Sequence, residues 1–241
     1  MFASSMQDQE SSESEEEYAL KRWEEYNEAF YDSSTQAEVI TDNLVQRYDS
    51  FTHYFFTEYQ LEQYLNKDSR NILQLGASLG RFCDRYAKAE WNIIAYDWSE
   101  AAVNYLNKNK IHVKKINLNK LTDDNKALAY EKELMSDIDK PINIFIFKII
   151  EYLTDDAANL LIYTLINASQ KGSVFMFGGS IYNKPTNRST VRGNIASLFY
   201  ARSDIEILKH GFSRTYQHDD EGNEVCFCAC AKVFAPHQEH E

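Results

Sequence analysis

From residue 71 onward, short runs rich in Ile, Leu, Val and Phe alternate with stretches of helical spacing, and each kind of segment has its own period. The apolar runs fall at 71–75, 91–96, 111–116, 142–147 and 173–177. Helix starts are marked between them. Ser99 precedes Glu100 and a stretch with Val103 and Leu106, and Thr154 precedes Asp155, Asp156 and a stretch with Ala157, Leu160, Leu161 and Leu165. Strand and helix in turn predict a parallel sheet with helical crossovers. The alternation breaks at 182–203, where Asn183, Pro185, Asn187 and Gly193 predict an inserted loop with a short helix after the fifth strand. Two closing runs, 212–217 and 225–234, flank Asp219-Asp220-Glu221-Gly222-Asn223, the composition of a hairpin turn, so the sheet is expected to end antiparallel.

Ahead of this pattern, residues 18–66 carry aromatic side chains at helical spacing: Trp23, Tyr26, Phe30 and Tyr31, then Tyr48, Phe51, Tyr54, Phe55, Tyr59 and Leu61. They predict two or three helices forming an N-terminal cap. Residues 1–17 are Ser, Gln and Glu with almost nothing to bury, and are expected to be a disordered acidic tail; 236–241 are expected to fray. Residues 67–235 then form a single α/β domain.

Composition narrows the function classes. With 44% apolar and 14% aromatic residues, the 241-residue chain can bury a real core. The longest apolar stretch, 142–150, contains Asn143 and Lys148 and falls well short of the ~20 residues of a membrane helix. No signal-like segment opens the chain, so a cytoplasmic address is expected. Net charge is −12, and removing the six acids of the tail leaves −6, which disfavours nucleic acid as a partner. Cys226, Cys228 and Cys230 alternate along a run predicted to be a strand, where one-face neighbours lie ~6.8 Å apart, too far to share one zinc ion; they are expected to be small buried hydrophobes, and no metal site is expected. Lys108, Lys110, Lys114, Lys115 and Lys120 are expected to form a solvated face.

The segment with chemical information is Ile72-Leu73-Gln74-Leu75-Gly76-Ala77-Ser78-Leu79-Gly80-Arg81-Phe82, a strand entering a glycine-containing turn and then a helix. Glycines there allow a sharp turn and close approach of a ligand, and a helix amino end offers unpaired N–H groups. The run lacks the G-x-G-x-x-G spacing of a dinucleotide site, which argues against a nicotinamide cofactor. Asp97 ends the second strand, where a carboxylate can accept hydrogen bonds from both hydroxyls of a ribose; capping the following helix is the plainer alternative.

These residues resemble the class I S-adenosylmethionine-dependent methyltransferases. The family's Leu-Asp-Leu-Gly-x-Gly-x-Gly reads here as Leu73-Gln74-Leu75-Gly76-Ala77-Ser78-Leu79-Gly80, and its Gly-x-Asp-x-Ser as Ala95-Tyr96-Asp97-Trp98-Ser99. Ile116-Asn117-Leu118 stands where the family often has an Asp that reads adenine, and Ile150-Glu151-Tyr152-Leu153 is similar to its Leu-Glu-His-Leu after strand four. Ile207-Leu208-Lys209-His210-Gly211-Phe212 is similar to the segment before its sixth strand. The resemblance implies a Rossmann-like, doubly wound, seven-stranded and mostly parallel sheet with an antiparallel last strand. It implies S-adenosylmethionine as cofactor, held by Gln74, Gly76, Ala77, Ser78, Gly80, Asp97, Trp98, Asn117 and Lys148; Lys148 on its own reads equally as a side chain running to the sheet edge. Gln74, Ser78 and Asn117 are departures, standing where the family has an acid, a glycine and an acid.

For the methyl acceptor, His53 is the candidate general base by type, and Tyr152 follows strand four at the carboxyl edge of the sheet. Tyr54 in the aromatic cap, with Arg188 and Arg192 in the insert, would suit a small acceptor with an apolar body and an anionic group. A protein side-chain acceptor and a non-catalytic binding or regulatory protein on the same fold stay open as alternatives.

Overall fold

A computed structural model of the protein describes residues 60–78, 80–108, 110–121, 124–135, 141–147, 149–150, 153–181, 202–218 and 222–233. The expected tail and most of the expected cap lie outside them, as do residues 182–201 of the expected insert.

At the centre of the sheet is β1, Asn71–Leu75, parallel to β2, Asn92–Asp97, on one side and to β4, Asn143–Phe147, on the other. The short β3, Val113–Lys115, lies outside β2, and β5, Val174–Ile181, lies beyond β4, both in parallel. The sheet closes antiparallel with β7, Gly222–Val233, against β5 and β6, Ile205–His218, outermost. The order is thus β3-β2-β1-β4-β5-β7-β6, and the seven-stranded, mostly parallel sheet with an antiparallel last strand is the one the resemblance implies. Leu75 is register partner of both Tyr96 and Ile146, which brings the carboxyl ends of three strands level.

Both faces are covered, which is why the strands read as unbroken apolar runs rather than alternating ones. Leu73, Ile144, Ile146, Phe175 and Phe177 face α3, Asp124–Met135, and α4, Asp155–Ala168, through Leu134, Ala157, Leu161 and Leu165. Ile72, Phe145, Phe147, Val174 and Met176 face α1, Arg81–Ala87, through Phe82 and Tyr86, joined by Leu61 and Leu65 of the segment before β1. Rings fix that contact: Phe82 stacks on Phe147 at 4.9 Å and meets Phe145 edge-on at 6.1 Å. A third cluster seats α2, Glu100–Lys108, on Ala95 and Val113 through Val103 and Leu106. Ser99 and Thr154 cap their helices as expected, accepting from the N–H of Ala102 at 3.2 Å and of Ala157 at 3.3 Å. Cys83 and Cys230 are buried free thiols, and the five lysines around β3 are exposed, Lys115 paired with Glu100 at 2.6 Å.

One expectation needs correction. The segment 207–212, read as preceding the sixth strand, lies within β6, which starts at Ile205 and pairs with β7 along its length apart from bulges after Ile207 and Ser213. α3 carried no distinct signal, because few of its residues are buried and its sequence is mostly polar.

The amino end of the sheet is sealed by polar side chains. Asn143, fully buried, accepts from the Asn66 N–H at 2.7 Å and donates to the carbonyls of Asn66 at 3.1 Å and Asn71 at 3.0 Å. Ser173 Oγ accepts from the Ile142 N–H at 3.1 Å. Replacing Asn143 by the nearly isosteric Leu leaves these groups without partners in a dry site, and should lower stability by about 2 to 4 kcal/mol in urea denaturation; an unchanged midpoint would show that the segment before β1 is held by its apolar contacts alone.

Candidate cofactor site

Beyond Leu75 the chain turns over a left-handed stretch, with φ of 70° at Gly76, 45° at Ser78 and 69° at Gly80. Only glycine takes such angles freely, and Ser78 bears a cost of order 1 kcal/mol. The turn is folded back onto β2. The N–H groups of Gly76 and Ala77 both donate to the Tyr96 carbonyl, at 2.8 and 3.1 Å, and the Gly80 N–H donates to the Ala77 carbonyl at 2.7 Å. The Ser78 N–H donates to Asp97 Oδ2 at 2.8 Å. Every described amide from Gly76 to Gly80 is thus paired within the protein, as a buried turn requires. What the turn offers a ligand is shape.

The two glycines differ. A Cβ on Gly80 would lie 2.5 Å from Leu106 Cδ2 and 3.1 Å from Ile111 Cδ1, so its smallness serves the packing of α2. A Cβ on Gly76 would instead meet the Ile149 side chain, at the mouth between β1 and β4.

Asp97 ends β2 with only 4% of its surface exposed. Oδ1 accepts from the Ser99 N–H and Oδ2 from the Ser78 N–H, both at 2.8 Å. Burial pushes its pKa above the ordinary aspartate value, against the opposing pull of the N–H groups of Ser78, Ser99 and Trp98. A carboxylate has about four lone-pair positions, and with three N–H groups drawing on it, capacity remains for a further donor. Ribose contact and capping are thus compatible.

The other expected cofactor residues are placed as follows. Gln74 is buried in β1, and its Oε1 accepts from the Cys83 thiol at 3.1 Å, a partner no sequence signal indicated. Asn117 follows β3 and caps the turn Leu118–Lys120, its Oδ1 accepting from the Asn119 N–H at 3.0 Å. Asn119 Oδ1 in turn accepts from the Thr154 N–H at 3.0 Å, tying this turn to the start of α4. Trp98 is half-buried beside Asp97. Ala77 is buried, and Ser78 half-buried. Lys148, Tyr152, His53, Tyr54, Arg188 and Arg192 lie outside the described residues. Ile149, which sequence reading passed over as one more core aliphatic, is brought against Gly76. Among the described residues no group of three or more His, Cys, Asp or Glu side chains could hold a metal ion, and no helix is long and apolar enough to cross a membrane.

No protein-family model matches the sequence, and no curated protein matches it. Solved structures do match. A SAM-dependent methyltransferase from Anabaena variabilis aligns with a TM-score of 0.55 at 14% identity, over 90% of this chain and 95% of that one. The plantazolicin methyltransferase BpumL, solved in complex with SAH, aligns with a TM-score of 0.51 at 14% identity, over 90% of this chain and 99% of that one. The chain has the class I methyltransferase fold. TehB from Haemophilus influenzae shares it, with a TM-score of 0.51 at 15% identity over 68% of this chain and 57% of that one. In the class I fold the glycine turn and Asp97 stand at the carboxyl ends of β1 and β2, the edge where ligands of open α/β sheets lodge.

Gly80→Ala combines a left-handed backbone with overlap onto Leu106, and should cost about 2 to 4 kcal/mol in urea denaturation; a loss under about 0.5 kcal/mol would deny the packing role. Asp97 makes a second test. Because its native pKa is raised, its contribution to stability is fully present below the unfolded value of 3.8 and declines as pH rises through the native value. Asp97→Asn has no such titration, so the melting-temperature advantage of the natural protein over this variant should shrink as pH rises from about 4. An advantage that grows with pH would mean the N–H groups outweigh burial.

Proposed function

We propose that the protein binds S-adenosylmethionine and transfers its methyl group to a small-molecule acceptor that bears an anionic group. The observation that carries the cofactor reading is Asp97: a buried carboxylate at the end of β2, held from two sides, with acceptor capacity left for a ribose hydroxyl. Its position beside the Gly76 turn and the fold shared with methyltransferases support the same reading. The residues fit the cofactor, with Asp97 receiving its ribose. When bound, S-adenosylmethionine supplies an already activated sulfonium methyl group. The chain's own work is then to fix Asp97 and the turn in place before binding, to exclude water and to align an acceptor. Of the residues outside the described parts, His53 or Tyr152 would take the acceptor's proton, Tyr54 would contact its apolar body, and Arg188 and Arg192 its anionic group.

Calorimetry with S-adenosylhomocysteine tests the cofactor, and thermal shift reads the same binding as stabilisation. Micromolar affinity is expected, falling about 10- to 100-fold in Asp97→Ala, a loss of roughly 1.5 to 3 kcal/mol. No heat and no shift at millimolar ligand would overturn the reading. Mass spectrometry after incubation with anionic metabolites should then find a gain of one methyl group, and Arg188→Ala with Arg192→Ala should raise the acceptor's KM far more than the cofactor's. Methylation of a neutral or cationic metabolite, or of a protein, would retain the enzyme and discard the anionic acceptor.

A further inference from the structure

The smallness of Gly76 is used by a side chain of the protein itself. A Cβ built on it would lie 2.6 Å from both Cγ1 and Cδ1 of Ile149. Ile149 follows β4 by two residues, packs on the cluster containing Leu73, Leu75 and Ile146, and yet remains only partly buried. Since Leu75 and Ile146 are register partners, this contact bridges the carboxyl ends of β1 and β4. The bridge falls where the winding of the sheet reverses, β1 leading outward to β2 and β3 while β4 leads to β5. That reversal is where an open α/β sheet parts to form a ligand crevice. Ile149 therefore stands in the crevice and not beneath it.

Asp97, on the β2 side of Gly76, and Ile149, on the β4 side, flank the turn. A ligand whose ribose is held by Asp97 meets Ile149 only through whatever extends from that ribose across Gly76 toward β4. The two arms of the ribose are the base and the 5′ thioether arm, and with the base expected beside Asn117 after β3, it is the 5′ arm that runs toward β4. We propose that Ile149 sets the width of the crevice along that arm, and so limits which 5′ substituents of a thioadenosine the protein admits. The inference rests on the cofactor reading above and adds a residue that the sequence did not indicate.

Calorimetry with four probes separates the two ideas: adenosine, 5′-methylthioadenosine, 5′-benzylthioadenosine and S-adenosylhomocysteine. Ile149→Phe should weaken S-adenosylhomocysteine at least about tenfold while changing adenosine less than about twofold, since a crevice misfit of a methylene or more is worth that much. Ile149→Ala should improve the affinity of the benzyl compound relative to the methyl one by at least about fivefold. Melting curves confirm that each variant folds, and Ile149→Val, with a smaller effect in the same direction as Ala, stands in if Ala does not. Natural protein that binds S-adenosylhomocysteine while the variants keep all probe ratios unchanged, or weaken adenosine as much as the rest, overturns the role of Ile149 alone. Natural protein that binds none of the probes overturns the cofactor reading and this inference with it.

Discussion

The carboxylate of Asp97 is shared by two turns that belong to different crossovers. One oxygen takes the Ser78 N–H from the turn after β1, and the other takes the Ser99 N–H from the turn after β2. Neither turn has another acceptor placed to do this among the contacts described above, and both depart from a sheet edge where backbone groups would otherwise face outward unpaired. The interaction runs against the cost of burying a charge, which is why the group's proton affinity rises even with three N–H groups in attendance. It also explains why a serine tolerates a left-handed backbone at residue 78: the conformation aims its N–H at Asp97. Strain in one residue and desolvation of another are thus two sides of a single arrangement, and the geometry of the crevice follows from it.

The two ends of the sheet are treated oppositely. At the amino end Asn143 and Ser173 use their side chains to pair backbone groups of Asn66, Asn71 and Ile142. At the carboxyl end the turns are satisfied internally, but Asp97 retains acceptor capacity and Gly76 leaves a hollow shared with Ile149.

Much of this was legible in the sequence. Runs such as Ile142 to Phe147 announce strands buried on both faces, and Ser99 and Thr154 announce helix starts through local hydrogen bonds that adjacent residues decide. Legibility stops where partners are distant in the chain. Nothing in Gly76-Ala77-Ser78 says that its amides turn toward Tyr96 and Asp97, because that depends on the register of β1 against β2. The start of β6 at Ile205 was hidden for the same reason, being set by pairing with Val233. Asn117 looked like a ligand contact by its place after β3, and its amide oxygen is engaged in capping the next turn. Ile149 was invisible for a different reason, since an isoleucine after an apolar strand reads as core whichever way it faces.

The lysines of β3 have a bearing on how the molecule behaves in company. β3 is an edge strand of three residues, and the exposed Lys114 and Lys115 occupy two of them. An incoming strand from another copy would find too few free amides there to gain a ladder, and would have to strip water from an ammonium group, with Lys114 already resting over the Tyr96 ring at 5.9 Å. That flank of the sheet is built to end rather than to recruit, which guards it against fibrous self-association when the protein is crowded.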